Sequence, residues 1–318
     1  MLHVFIKKHA LVQHFFEGLE SDGAVRVIEY PFTRHGRLKS LLRSVEAYPL
    51  WWLPRSWFFD EAFLARLRSI GPDDTVLYFS MENRKTLQIM RKFVGARRQS
   101  AWFWDPIRSY RKNPLSRLVY RQWLRRSGIE AYTFDPADAK DFGFELIEQV
   151  FRHDRADDVT ASVKDIDLCF VGTDKGRLPE LLRWRTSFER QGLRTHFHVA
   201  ADKRKAYGPQ DRAAVTDEWI PYASNLALAR RSRCLLELLQ HTQSGPTMRS
   251  IEALFFGCKL ITNNASIVDC EFYNPSRVFV IGRDNEASLQ AFLAAPIDAP
   301  SRDLLLKHEI RTWLDRFR

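Results

Sequence analysis

One segment in the last third of the chain combines a polar loop with the start of a helix that carries charged side chains. The loop, residues 240–246, contains Gly245, and helical periodicity begins at Thr247 with Arg249 and Glu252 in the first turns. A helix start presents unpaired N–H groups and a positive dipole end, which stabilise phosphate. Glycine allows close backbone approach, threonine suits the N-cap, and glutamate can accept hydrogen bonds from sugar hydroxyls. The segment predicts a site for a phosphorylated ligand with a sugar; the alternative is an ordinary turn before a solvated helix.

A second loop with cations follows a strand pattern near the middle of the chain. Residues 171–177 read VGTDKGR, in which Gly172 and Gly176 allow tight backbone geometry. Lys175 and Arg177 could neutralise a diphosphate and stabilise the negative charge that develops on a phosphorylated leaving group. The alternative is a solvated loop with two surface cations.

Two carboxylates that follow strand patterns in the first half of the chain are candidates for a catalytic base. Glu82 and Asp105 each come soon after an apolar strand. A carboxylate close to a hydroxyl group can remove its proton during transfer, although carboxylates after strands are common in α/β proteins. His9 and His14 are weaker candidates. No His, Cys and Asp set has metal-ligand spacing, and the four cysteines form no C-x-x-C pair, so we expect no essential metal and free buried thiols.

Alternating strand and helix patterns must position these residues. Strand patterns lie at residues 2–6, 24–30, 74–80, 99–104 and 130–134, and after a polar stretch at residues 167–171, 194–200, 218–221, 234–239, 259–262 and 278–281. Helical periodicity separates most of them, which predicts parallel sheets with helices on both faces. We expect an acceptor-binding Rossmann-like domain at residues 1–155, a second Rossmann-like domain at residues 156–300 and a C-terminal helix at residues 301–318.

Composition sets the class of protein. The chain has 318 residues, of which 45% are hydrophobic and 28% charged, as expected for a globular chain of about two domains. No apolar run reaches the roughly 18 residues of a membrane-spanning helix, and no signal peptide pattern is present, so we expect a cytoplasmic protein. The formal net charge is +10, which favours anionic ligands or surfaces.

Much of the positive charge lies on one helix pattern. The basic residues are Arg108, Arg111, Lys112, Arg117, Arg121, Arg125 and Arg126, and upstream residues 48–59 are rich in aromatic side chains. A basic helix beside an aromatic loop suits the headgroup layer of an anionic membrane. The alternatives are aromatic side chains that fill the core beside a solvated helix face, or binding to nucleic acid. No known nucleic-acid-binding module is present, so we expect no nucleic-acid partner.

Residues 243–264 resemble the donor-binding segment of GT-B glycosyltransferases, through Gly245, Thr247, Glu252 and the small-residue turn that follows. More closely, the pattern TMR-x-x-E-A resembles a family of bacterial lipopolysaccharide and capsule glycosyltransferases. Residues 132–139, 170–177 and 272–274 also fit that family, so the resemblance spans roughly residues 130 to 282.

The resemblance implies a GT-B fold, in which two Rossmann-like domains with parallel sheets face each other across a cleft. The second domain would hold a nucleotide-sugar donor, with Glu252 on the ribose and with Lys175, Arg177 and Arg249 on the phosphates. Thr247 would lie at the helix start, while Gly172 and Gly245 would allow close approach of the donor.

The first domain would hold a glycan or lipid-linked acceptor, either in the cytoplasm or at the inner face of the cell membrane. Many retaining GT-B enzymes carry a glutamate near the place where Ser244 stands, so the stereochemical outcome stays open, and a retaining enzyme would need no base. The alternative function is a basic nucleic-acid-binding α/β protein. A dehydrogenase or epimerase is disfavoured because no G-x-G-x-x-G follows the first strand.

Overall fold

Two separate α/β units make up the chain. The computed structural model describes residues 1–30, 59, 61–153, 163–240 and 243–318. The first unit comprises Met1–Ile147 and Leu314–Arg318, and the second comprises Glu148–Trp313. We expected the boundary after residue 155, within a polar stretch that lies mostly outside the described residues. The second unit begins earlier because the Phe151 N–H donates to the His308 carbonyl at 2.7 Å and the Phe151 ring packs against Phe255.

The first unit is built on one parallel sheet. Its strands are β1 (Leu2–Ile6), β2 (Val25–Glu29), β3 (Thr75–Phe79), β4 (Arg98–Phe103), β5 (Glu130–Thr133) and β6 (Glu145–Leu146). Its helices, within the described ranges, are α1 (Ala10–Phe16), α2 (Glu61–Arg68), α3 (Arg84–Phe93), α4 (Ile107–Tyr110), α5 (Pro114–Ser127) and α6 (Pro136–Phe142). The strand order is β2-β1-β3-β4-β5-β6, and every neighbouring pair is parallel.

The second unit repeats this plan with a smaller sheet. Its strands are β7 (Ile166–Thr173), β8 (Thr195–Ala200), β9 (Ser232–Glu237), β10 (Lys259–Thr262) and β11 (Val278–Val280), in the parallel order β11-β10-β9-β7-β8. Its helices, in the part of the chain that is described, are α7 (Leu178–Arg190), α8 (Pro209–Ala213), α9 (Tyr222–Arg231), α10 (Met248–Phe255), α11 (Leu289–Ala294), α12 (Arg302–His308) and α13 (Ile310–Leu314).

All but one of the predicted strands are present. Residues 218–221 form no strand; only Thr216 bridges Ala200, and the chain then runs through Pro221, which lacks a backbone donor, into α9. The expected C-terminal helix is broken at Glu309, whose backbone is extended, into α12 and α13.

Helix ends follow local chemistry. The Asn113 side chain accepts the Leu115 N–H at the start of α5, and Gly128 ends that helix with a φ of 70°, which favours glycine. Most of the aromatic stretch at residues 48–59 lies outside the described residues; Phe59 is buried against Phe63. Cys169, Cys234 and Cys258 are buried, Cys270 is half-buried, and all four are free.

Residues 314–318 return to the first unit. The Phe317 ring lies edge-on to Tyr132 with centroids 5.2 Å apart. Arg98 donates to the Arg318 carbonyl at 2.8 Å and to the Arg316 carbonyl at 2.9 Å. Within the described ranges, none of the helices has both the length and the apolar character needed to cross a membrane.

Candidate functional site

The strand order gives each sheet a point where successive connections leave in opposite directions. In the first unit this point lies between β1 and β3, and in the second between β7 and β9. Ligands of open parallel sheets bind in the crevice beside the carboxyl ends of the strands at such a point. The residues that follow these four strands are therefore the first to consider.

In the first unit, an ion pair occupies this point. Lys7 directly follows β1, and its ammonium group pairs with the carboxylate of Glu82, which follows β3. The Ser80 hydroxyl donates to the other oxygen of Glu82 at 2.8 Å. Sequence reasoning predicted Glu82 but missed Lys7, although its place directly after the first strand could have indicated it.

The backbone is strained where Ser80 leaves β3. Its φ is 52°, in the left-handed region that costs a non-glycine residue about 1 kcal/mol. The Ser80 N–H is anchored on the Trp102 carbonyl at 2.8 Å. Strain of this kind persists where surrounding structure enforces it, often at functional sites. Here it accompanies the hydrogen bond from Ser80 to Glu82.

Burial changes the acid strength of this cluster. Burial raises the pKa of Glu82, although Lys7 and Ser80 oppose the shift. Burial and the nearby carboxylates of Asp105 and Glu82 raise the pKa of Tyr110. Asp105 is exposed and accepts the Tyr110 hydroxyl at 3.0 Å. Both predicted carboxylates thus lie in one cluster, with the Glu82 side chain 11% exposed and Asp105 exposed.

In the second unit, Arg177 ties the two strand ends together. Its guanidinium donates to the carbonyls of Thr173 at the end of β7, of Asp174, and of Leu238 just after β9. Gly172 leaves room for the Phe170 ring, since a Cβ there would lie only 3.2 Å from it, whereas its 3.7 Å distance from Arg177 would be an ordinary contact. Arg177 therefore brings a positive charge to the predicted place, but part of its donor capacity is used by the backbone.

The loop after β7 is held by a buried carboxylate. Asp174 accepts the Leu178 N–H at 2.7 Å, Lys205 at 3.0 Å and the Tyr207 hydroxyl at 2.9 Å. Burial alone would raise the pKa of Asp174, but these hydrogen bonds outweigh it and keep the pKa below its usual value. The neighbouring Lys175 is exposed, with a φ of 44°. A rigid loop thus presents the Lys175 backbone in an unusual conformation at the sheet edge.

Arg249 and Glu252 face each other inside the second unit. The Arg249 Nη1 lies 2.9 Å from the Glu252 Oε2, while its Nη2 donates to the Val171 carbonyl at 3.0 Å. The Tyr222 hydroxyl donates to the Glu252 Oε1 at 3.0 Å, and Asn225 lies at 3.4 Å from that atom. Glu252 is only 1% exposed, and burial raises its pKa while Arg249 opposes the shift. Its carboxylate is therefore bonded within the protein, and its ribose role stays a prediction.

Glu237, at the end of β9, is a second residue that sequence reasoning missed. This buried carboxylate accepts the hydroxyls of Thr247 at 2.6 Å, Ser250 at 2.6 Å and Thr262 at 2.5 Å. Thr247 caps α10 as predicted, because its Oγ1 accepts the Arg249 N–H at 3.1 Å. Its only hydroxyl hydrogen goes to Glu237, so Thr247 contributes no side-chain donor to a phosphate in this arrangement.

The predicted residues of the second unit therefore lie around two strand ends and one helix start. Gly245 is buried, and its carbonyl accepts the Asn264 amide at 3.3 Å. Lys175 and Arg177 follow β7, and Thr247, Arg249 and Glu252 lie at the start of α10, next to β9 through Glu237. Their roles in ligand binding stay predictions.

Comparison with solved structures finds several similar chains. The UDP-forming α,α-trehalose-phosphate synthase from Burkholderia vietnamiensis aligns over 99% of this chain and 96% of its own, with 11% identity and a TM-score of 0.56. The glycotransferase of kitacinnamycin aligns over 99% and 97% with 13% identity and a TM-score of 0.44. The E. coli heptosyltransferase WaaC aligns over 82% and 88% with 13% identity and a TM-score of 0.34.

Sequence comparisons add nothing to this picture, because no family model and no curated protein matches the chain. The trehalose-phosphate synthase match and the two parallel sheets confirm the expected fold class, a GT-B fold of two Rossmann-like α/β domains.

Proposed function

We propose that this protein is a glycosyltransferase that moves a sugar from a nucleotide-sugar donor to a glycan or lipid-linked acceptor. The observation that carries the proposal is the pair of cations after β7, Lys175 and Arg177, of which Arg177 also reaches the chain just after β9. They lie in a fold shared with the UDP-forming α,α-trehalose-phosphate synthase. The resemblance to lipopolysaccharide and capsule enzymes supports a role in cell-surface polysaccharide synthesis in the cytoplasm.

The donor diphosphate would lie beside the loop after β7. Lys175 is exposed there, and Arg177 fixes a second positive charge at the strand ends. The start of α10 adds the positive end of its dipole. The leaving nucleotide gains negative charge in the transition state, so fixed cations at this edge lower the barrier. We propose that these charges replace a metal ion, so a chelator should leave transfer unchanged.

The acceptor hydroxyl would be activated in the first unit by Glu82. The raised pKa of half-buried Glu82 suits a base better than exposed Asp105 does, because a stronger base removes a hydroxyl proton more readily. Lys7 and Ser80 hold the carboxylate in place. This assignment supports an inverting reaction, in which the base acts directly on the acceptor.

A thermal-shift panel of nucleoside diphosphates and nucleotide sugars tests the proposal. A ligand that binds only the folded state adds about 2.7 kcal/mol of stability at one hundred times its Kd. Lys175→Ala should weaken this effect without unfolding the protein, because the side chain is exposed. The matched control is Arg190→Ala, an exposed cation at the far end of α7. If no nucleotide stabilises the native protein, the proposal fails; strong salt-sensitive DNA binding instead would favour a nucleic-acid-binding protein.

A further inference from the structure

Helix α5 exposes apolar side chains on its outer face. Leu115 is 66% exposed, Leu118 is 50% and Val119 is 44%, and Tyr110 of the adjoining α4 is 57% exposed. The spacing of these α5 residues places them on one stripe of the helix. Single exposed apolar residues are ordinary, but a contiguous patch marks an interaction surface.

The core does not need this stripe. The inner face of α5 already buries Tyr120 and Leu124, which belong to the apolar core of the first unit. Trp123 is partly buried and packs against the same core. Folding of the first unit therefore leaves Leu115, Leu118 and Val119 without an internal role.

Positive charge surrounds the stripe. Residues 107–127 contain seven basic side chains and no acidic one. Arg108 pairs with Asp135 and Asp138, and Arg117 pairs with Asp141. Of the other five, Arg111 lies over the Tyr120 ring, 5.1 Å from its centroid. The four that form no ion pair with any described residue are Lys112, Arg121, Arg125 and Arg126. Arg125 and Arg126 are exposed and follow the apolar stripe along the same helix face.

We propose that the outer face of α5, formed by Leu115, Leu118, Val119, Arg125 and Arg126, docks on an anionic lipid bilayer. Apolar side chains beside cations match the boundary between headgroups and acyl chains. There the apolar side chains insert among the acyl chains, and the cations contact anionic headgroups. Nucleic acid would engage the arginines through its phosphates but would leave the leucines exposed. The inference rests on the proposed transfer to a lipid-linked acceptor, which this docking would bring to the first unit.

Flotation with vesicles tests the inference in the full chain. Vesicles of phosphatidylcholine alone are compared with vesicles that also contain phosphatidylglycerol. We expect binding to the anionic vesicles only. Arg125→Gln/Arg126→Gln should weaken binding about five-fold per residue, and Leu115→Ser/Leu118→Ser about ten-fold in total. The matched control is Lys203→Gln/Arg204→Gln, which removes two exposed cations from the second unit.

The outcomes separate the lipid from other partners and from the transfer reaction. All these positions are exposed, so circular dichroism should show unchanged folding in each variant. Equal binding by the native protein and both α5 variants would overturn the inference, and so would absence of binding to anionic vesicles. Displacement of the vesicles by duplex DNA, with no effect of the serine variant, would assign the face to nucleic acid. The assay contains no nucleotide, so its failure would leave nucleotide-induced stabilisation untouched.

Discussion

Replacing either partner of the Arg249–Glu252 pair should destabilise the second unit. The losses of the two single variants should sum to more than the loss of the double variant. The informative variants are Arg249→Met, Glu252→Gln and the double variant. Methionine keeps most of the aliphatic volume of arginine, and glutamine keeps an acceptor for the Tyr222 hydroxyl. The change therefore acts mainly on the two charges and the hydrogen bonds they support.

The magnitude follows from the burial of the pair. Arg249→Met leaves a carboxylate that is 1% exposed without its cation, which costs about 3–5 kcal/mol. Glu252→Gln leaves a guanidinium that still donates to the Val171 carbonyl, so we expect about 2–3 kcal/mol. The double variant leaves no buried charge without its partner. Its loss of unfolding free energy should therefore be about 2 kcal/mol smaller than the summed losses of the two single variants.

The pH dependence has a definite sign. The folded pKa of Glu252 is raised by burial, so the folded state retains its proton to higher pH than the unfolded state. The contribution of Glu252 to the free energy of unfolding should therefore fall as the pH rises from the ordinary pKa of glutamate through the raised folded pKa. Loss of Arg249 raises the pKa of Glu252 further, so the pH range over which stability falls extends to higher pH. Glu252→Gln removes this pH dependence.

Urea unfolding at several pH values, followed by circular dichroism, measures these effects. Losses that add without coupling would refute the reasoning, because they would show that Arg249 and Glu252 act independently in the folded protein. Each would then be available to contact a ligand separately, as the sequence alone suggested.

Three further predictions concern the other carboxylates. Glu82→Gln should lower kcat about 10²–10⁴-fold, while Asp105→Asn should have a small effect. The activity of the native protein should rise with pH through the raised pKa of Glu82. A larger loss in Asp105→Asn than in Glu82→Gln would make Asp105 the base. Glu237→Gln should lower the free energy of unfolding by about 2–4 kcal/mol, because all three hydroxyls lose a charged acceptor and the amide nitrogen cannot accept from Thr262 or, in the other amide orientation, from Thr247 and Ser250. An unchanged thermal midpoint would contradict this. Asp174→Asn should lower the free energy of unfolding by about 2 kcal/mol at neutral pH. Since the folded pKa of Asp174 is lowered, the difference in stability between the native protein and the variant should shrink as the pH falls below the ordinary pKa of aspartate. A stability difference that stays constant down to acidic pH would argue against this.

The sequence predicted the strands well, because an apolar stretch bounded by turn residues is a local property. It did not predict their order, which depends on which strand edges meet, so Lys7 and Glu82 were not expected to pair. Glu237 fell inside the predicted strand at residues 234–239 and was not singled out. Its three hydroxyl partners lie 10 to 25 residues later, at α10 and in β10. Arg249 and Glu252 were correctly placed on the helix, but periodicity could not show that they bond to each other and to Tyr222.

The return of residues 314–318 to the first unit has a consequence for synthesis. Tyr132 packs against Phe317, and Arg98 binds carbonyls of Arg316 and Arg318. During translation, residues 1–147 emerge first but lack these contacts until the whole second unit has been made. Domains usually fold in order from the N-terminus. Here the first unit gains its contacts with the last segment only after the second unit has been synthesised.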